Sequence, residues 1–212
     1  MIYLCSNTPS DDKSVIWLNL CQIKYLPFSV DLSEFSALII SSKNAIKALS
    51  FNKIKPNPSL EVFAIGEKTA QAALDFGFEN VKISTNSHGN EFAKEISQNL
   101  KNHNALLLSA KEQVSDIKGI LENSNIKFNQ IIAYENTIKK ITENLDFPKN
   151  SVFIFTSPKN AEAFLFNFSW RDDFRAVVIG KTTAQALFKV CKPVISNEQN
   201  ISQCIKIAKN LV

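Results

Sequence analysis

Val178-Ile179-Gly180-Lys181-Thr182-Thr183-Ala184-Gln185-Ala186 closely repeats the earlier Ala64-Ile65-Gly66-Glu67-Lys68-Thr69-Ala70-Gln71-Ala72. Each stretch reads as the end of a strand, a glycine turn and the start of a helix. Only five glycines occur in 212 residues, and two of them stand at this matched point. A second pair precedes the first: Ile40-Ser41-Ser42-Lys43-Asn44-Ala45 and Thr156-Ser157-Pro158-Lys159-Asn160-Ala161. The spacing from Ser41 to Gly66 resembles that from Ser157 to Gly180. Long self-similarity of this kind outranks any single motif as a sign of architecture, and it reads as two related halves.

Working outward, short apolar runs alternate with helical patterns. Strands are expected at 2–5, 22–25, 37–40, 61–65, 81–83, 105–108, 128–134, 152–155, 176–179 and 193–195. Helices are expected at 13–20, 44–51, 69–76, 91–100, 114–123, 160–168, 183–190 and 201–211. This alternation predicts an α/β fold with parallel sheets and helices on both faces. Ala105-Leu106-Leu107-Leu108 and Val152-Phe153-Ile154-Phe155 are apolar at successive positions, as suits strands covered on both sides.

The strands divide evenly only if the chain start joins the chain end. Ile23-Lys24-Tyr25 also resembles Ile126-Lys127-Phe128, and Ser6 falls on Ser109 at the same offset. We therefore expect two similar domains, each with a mainly parallel five-stranded sheet. The first is discontinuous, 1–30 with 135–212; the second, 31–134, is inserted. Crossings near Leu26-Pro27-Phe28-Ser29 and Tyr134-Glu135-Asn136-Thr137 would form a two-stranded hinge.

Composition excludes several classes. The apolar fraction of 45% and the charged fraction of 21% are those of a globular protein, and no apolar stretch approaches a membrane span. The start of the chain shows no basic or apolar leader pattern, so a soluble, cytoplasmic protein is expected. The net charge of +4 is mild, and Arg171 and Arg175 are the only arginines, which argues against a nucleic-acid partner. Cys5, Cys21, Cys191 and Cys204 are scattered and read as free thiols. With only His88 and His103, no metal is expected. No GxGxxG or GxxxxGK[ST] loop is present, so a dinucleotide site and a P-loop have no support. His88, in Thr85-Asn86-Ser87-His88-Gly89-Asn90, reads as a loop residue.

The chemistry is expected where strands end and helices begin. Helix N-termini offer free N–H groups and a positive dipole end, which suit carboxylates. Thr69 and Thr183 can cap their helices or sit in the first turn. Lys43, Lys68, Lys111, Lys159 and Lys181 all fall at such turns. A cation there opposes the macrodipole, so five in equivalent places point to a shared anionic ligand. Such ligands bind outside the carboxyl ends of strands, here in a cleft between the two domains.

Taken together, Thr156-Ser157-Pro158-Lys159-Asn160-Ala161, the two Ile-Gly-x-x-Thr-Ala turns and Ala133-Tyr134-Glu135-Asn136-Thr137 resemble the uroporphyrinogen-III synthase family over nearly the whole chain. The resemblance implies closure of hydroxymethylbilane, a linear tetrapyrrole with eight carboxylates, to uroporphyrinogen III. Water leaves and the last ring is inverted. It implies no cofactor and a monomer. On that reading we assign Tyr134 to assist departure of the hydroxyl as a weak general acid, with packing at the hinge as its alternative role. Ser41, Ser42, Lys43, Gly66, Lys68, Thr69, Ser109, Lys111, Ser157, Pro158, Lys159, Gly180, Lys181, Thr182 and Thr183 are then the expected carboxylate-binding set. Two other readings stand beside it: a non-enzymatic two-domain module that binds a small anion with the same turns, and a flavodoxin-like redox protein, for which no acidic or aromatic cofactor loop is found.

Overall fold

The computed structural model describes residues 1–84, 88–113 and 115–212. The strands are β1 (Ile2–Cys5), β2 (Val15–Leu18), β3 (Cys21–Tyr25), β4 (Ala37–Ile40), β5 (Glu61–Ala64), β6 (Asn80–Ile83), β7 (Ala105–Ala110), β8 (Phe128–Ile138), β9 (Val152–Phe155), β10 (Arg175–Val178) and β11 (Val194–Ile195). The helices are α1 (Lys43–Phe51), α2 (Glu67–Phe76), α3 (Gly89–Asn99), α4 (Ile117–Asn123), α5 (Pro158–Asn167), α6 (Lys181–Gln185) and α7 (Ile201–Lys209).

Contacts separate the chain into two compact units. Unit 1 joins 1–22 with 137–212, and unit 2 is 23–136. Unit 1 holds a five-stranded parallel sheet in the order β11-β10-β9-β1-β2. Unit 2 holds a six-stranded sheet, β3-β8-β7-β4-β5-β6, parallel from β8 to β6.

Alternation along the strands builds two cores per sheet, because successive side chains point to opposite faces. In unit 2, Leu38, Ile40, Val62, Leu106 and Leu108 pack on one side; Ala37, Ile39, Phe63, Ala105 and Leu107 pack on the other. In unit 1, Tyr3, Cys5, Phe153, Phe155 and Val178 face one layer, and Ile2, Leu4, Val152, Ile154 and Val177 face the other. The first of these unit 1 layers is aromatic. Phe153 lies 4.5 Å from Phe164 and 4.9 Å from Phe174, centroid to centroid. Such rings add edge and stacking contacts to their area burial.

Several expectations need correction. The helix expected at 13–20 is β2, because Val15-Ile16-Trp17-Leu18 pairs in parallel register with Ile2–Cys5. A run of β-branched and aromatic residues fits a pleated edge better than a helix. The strand expected at 22–25 forms, as β3, but joins the unit 2 sheet beside β8. The sheets thus hold five and six strands, not five each. The chain crosses between units at 22/23 rather than near 30, and at 136/137. The helix expected at 183–190 stops at Gln185 and continues as turns. The helix expected from Val114 begins, among the described residues, at Ile117. Val114 itself lies outside them, as do Thr85, Asn86 and Ser87 of the expected His88 loop; His88 is the residue before α3.

Candidate functional site

In unit 2 the carboxyl ends of β4, β5, β7 and β8 converge on a cavity of about 240 Å³ whose lining includes Ser41, Ile65, Gly89, Ala110 and Tyr134. Tyr134 reaches it through an irregularity. Ser109 pairs with Ile132 and Ala110 with Tyr134, so β8 carries one extra residue there. A β-bulge re-aims the side chains that follow it. Strict alternation would put Ala133 and Tyr134 on opposite faces; instead both belong to the same buried core.

Tyr134 is 7% exposed. Burial is the main cause that raises its phenol above the usual range; the neighbouring Ser42 hydroxyl partly offsets this, and the nearby Tyr25 adds to it. The phenol therefore holds its proton at neutral pH. Ser42 is in turn fixed by helix α1, because its hydroxyl accepts the Asn44 N–H at 3.2 Å as the N-cap. The Lys111 backbone N–H donates to the Tyr134 carbonyl at 2.9 Å.

The Lys111 ammonium pairs with Glu135 at 3.1 Å, and Lys24 approaches the other oxygen of Glu135 at 3.6 Å. The hydrogen bond from Lys111 is the main cause that lowers the Glu135 carboxyl. Lys111 is thus already partnered by an acid that sequence reasoning did not single out. A broader groove of about 960 Å³ lies at the amino ends of β7 and β8, lined by residues such as Asp31, Glu34 and Phe128. It holds neither the phenol nor the serine turns. Open parallel sheets bind ligands at the other end, where the smaller cavity lies.

The glycine turn of unit 2 uses a conformation that side chains resist. Gly66 has φ +72° and ψ 160°, directly before α2, and makes no side-chain cap. Thr69 is the third residue of α2 and is buried, so it does not cap the helix. Lys43 and Lys68 are exposed at the first turns of α1 and α2. Ser109 is buried and accepts a hydrogen bond from Gln130 at 2.9 Å, within the sheet.

In unit 1 the matching turns differ in detail. Ser157 caps α5, accepting the Asn160 N–H at 3.2 Å, and Pro158 occupies the first helical position. The Asn160 amide also donates to the Ser157 hydroxyl at 2.8 Å. Lys159 lies 3.5 Å from Glu162. Gly180 precedes α6 with φ −174°, extended backbone open to any residue. Lys181 and Thr182 are exposed, whereas Thr183 is buried.

The structure therefore brings Ser41, Ser42 and Tyr134 together in unit 2, and Ser157, Pro158 and Lys159 together at the tip of α5 in unit 1. Ser109, Thr69 and Thr183 are buried residues, and the Ser109 hydroxyl is held by Gln130 within the sheet. Sequence reasoning passed over Glu135 and Asn160. The asparagine was signalled, since Asn44 and Asn160 hold the same place in the two serine motifs.

Comparison with known proteins points one way. The family described as HEM4, uroporphyrinogen-III synthase HemD, matches residues 14–206. A curated protein described as porphyrin biosynthesis protein HemD, from Ruminiclostridium josui, is 25% identical over 195 residues. That match covers 82% of this chain but 38% of the relative, so the chain spans well under half of the relative's length. The crystal structure of uroporphyrinogen-III synthetase from Helicobacter pylori is 29% identical, with a TM-score of 0.84 over 100% of this chain and 99% of that one. A mutant uroporphyrinogen III synthase from Thermus thermophilus, 12% identical with a TM-score of 0.56 over 99% and 97% of the two chains, shares the fold.

Proposed function

The chain belongs to the uroporphyrinogen-III synthase family, and from that premise we propose that it closes hydroxymethylbilane to uroporphyrinogen III. The observation that carries this reading is Tyr134, delivered by the bulge into a cavity at the strand ends, beside the Ser42 cap of α1 and with its phenol raised above the usual range by burial.

In the proposed reaction the substrate's terminal C–O bond breaks, and the leaving hydroxyl takes the Tyr134 proton and departs as water. The adjoining pyrrole carries the positive charge as an azafulvene. The substituted carbon of the last ring attacks it and becomes a quaternary centre. The bond that tethered that carbon to the preceding ring then breaks, leaving a second azafulvene. The free α-carbon of the last ring attacks this azafulvene, and the proton lost from that carbon restores the phenol. General acid assistance of this kind contributes about 10²–10⁴ in rate. Holding one reactive geometry can supply a further ~7–11 kcal/mol.

In unit 2, Ser41, the Gly66 turn and the exposed Lys43 and Lys68 would receive acetate and propionate groups. In unit 1, Ser157, the Gly180 turn, Lys181 and Thr182 would do the same. Their N–H groups and ammonium ions suit an eight-carboxylate substrate. The buried Thr69, Thr183 and Ser109 would act by shaping these turns. No helix among the described residues is long and apolar enough to cross a membrane.

The test supplies freshly generated hydroxymethylbilane to the protein and separates the porphyrin isomers after oxidation. Isomer III is expected. Isomer I alone, the spontaneous product, would reject the activity and leave an anion-binding module as the alternative.

A further inference from the structure

Asn160 is 1% exposed, and the carbonyl oxygen of its side chain has no hydrogen-bond partner. Burying an unpaired oxygen is unfavourable, so the rest of the side chain must be held firmly. Its amide nitrogen donates to the Ser157 hydroxyl at 2.8 Å and to the Thr156 hydroxyl at 3.3 Å. Its backbone N–H donates to the same Ser157 oxygen at 3.2 Å.

A serine oxygen has two acceptor positions and one proton. Asn160 fills both acceptor positions of Ser157. The Thr156 proton is committed to the Cys5 carbonyl at 3.3 Å. Turning the Asn160 amide around would therefore face two buried N–H donors with no acceptor, and its oxygen could draw on Ser157 alone. The observed orientation is the satisfied one. It leaves the half-buried Ser157 hydroxyl able to act in one way only, as a donor directed away from Asn160.

We propose that Asn160 is a positioning residue that makes Ser157 an obligate hydrogen-bond donor, so that the tip of α5 accepts a substrate carboxylate and rejects N–H groups. This rests on the tetrapyrrole reading above. Asn44, at the matched place in unit 2, offers Ser42 only its backbone N–H, and Ser42 lies beside Tyr134. The device is particular to unit 1.

Steady-state kinetics of the whole chain test it, with the dissociation constant of uroporphyrin III, read by fluorescence, as a second measure. Asn160→Leu is expected to raise KM about three- to tenfold, the worth of one oriented hydrogen bond, with kcat within about twofold of the parent. In a Ser157→Ala background the same change should move KM by less than about twofold, because the two residues act as one. Asn160→Asp conserves volume and carries the test should the leucine variant fail to fold. Its carboxylate would draw the Ser157 proton inward and raise KM at pH 8. Relative to the parent at each pH, KM should recover as the new carboxyl is protonated and becomes a donor.

An equal effect of Asn160→Leu with and without Ser157, or a flat pH ratio for Asn160→Asp, would overturn the inference while isomer III formation stands. A parent chain that binds uroporphyrin III but makes no isomer III would reject the activity, and the same comparisons on the dissociation constant would still decide the role of Asn160. A parent that does neither overturns both.

Discussion

The turn after β4 and the turn after β9 start from nearly the same residues and do different work. In unit 2 the cap of α1 falls on Ser42, the second serine, which leaves Ser41 on the cavity wall and lets Ser42 meet Tyr134. In unit 1 the cap of α5 falls on Ser157, equivalent to Ser41, because proline takes the next position. A shift of one residue in the cap separates a helix tip that serves a phenol from one that presents a single hydroxyl. The glycine turns diverge as well: Gly66 needs a positive φ and starts a ten-residue helix, whereas Gly180 is extended and starts one of five. The two turns share the same parts, and local backbone geometry sets them differently.

The sharpest way to break this contrast is Tyr134→Phe. If the phenol of unit 2 is the acid, kcat should fall by about 10²-fold or more with little change in KM. Turnover equal to the parent would remove the distinction between the two tips. Next in size is the glycine pair. Gly66→Ala should cost unit 2 about 1–3 kcal/mol, because its backbone region is nearly exclusive to glycine. The strain is conformational alone, since an added Cβ would meet nothing within 4 Å. Gly180→Ala should change stability by less than about 0.5 kcal/mol, its Cβ meeting Gln199 at an ordinary 3.6 Å. Denaturant unfolding followed by circular dichroism compares them.

Third, Ser42→Ala and Ser157→Ala should each cost about 1 kcal/mol as lost caps. Kinetics should then separate them, with Ser42→Ala lowering kcat through Tyr134 and Ser157→Ala raising KM. The smallest effect concerns acid. Asp173 in unit 1 is held well below the usual carboxylate range, first by the Arg171 guanidinium at 2.8 Å and then by the Asn150 N–H at 3.0 Å. A carboxyl lowered by folding stabilises fully above its unfolded pKa and loses that contribution as pH falls through the folded value. Asp173→Asn should therefore lower the neutral-pH stability of unit 1 slightly and flatten its decline below about pH 4. Both tryptophans, Trp17 and Trp170, lie in unit 1, so their fluorescence reports that unit alone.

Much of this was legible in the residues. The repeated turns and continuous apolar runs such as Val152-Phe153-Ile154-Phe155 led directly to parallel sheets covered on both faces, because period and burial are local properties. What escaped was set by pairing across the chain. β2 becomes a strand because β1 lies beside it, and no window of sequence contains both. The bulge at Ala133 depends on the register with β7, so Tyr134 could be named but not aimed. The burial of Thr69 and Thr183 escaped because a turn position does not reveal which side of the helix is packed. Glu135 was overlooked because its partners, Lys24 and Lys111, lie far apart in sequence.

The discontinuity of unit 1 bears on the order in which the molecule is made. β1 pairs with β9 through Ile2↔Val152, so β1 waits some 150 residues of synthesis for its central neighbour. Unit 2 is finished at residue 136, while β1 and β2 have only each other. Domains complete as units during synthesis, and strands without neighbours are the exposed, association-prone part of a nascent chain. The inserted unit is thus the early folder. A chain halted after residue 136 should hold a folded unit 2 behind an unpaired apolar leader, dependent on chaperones until α5 and β10 arrive.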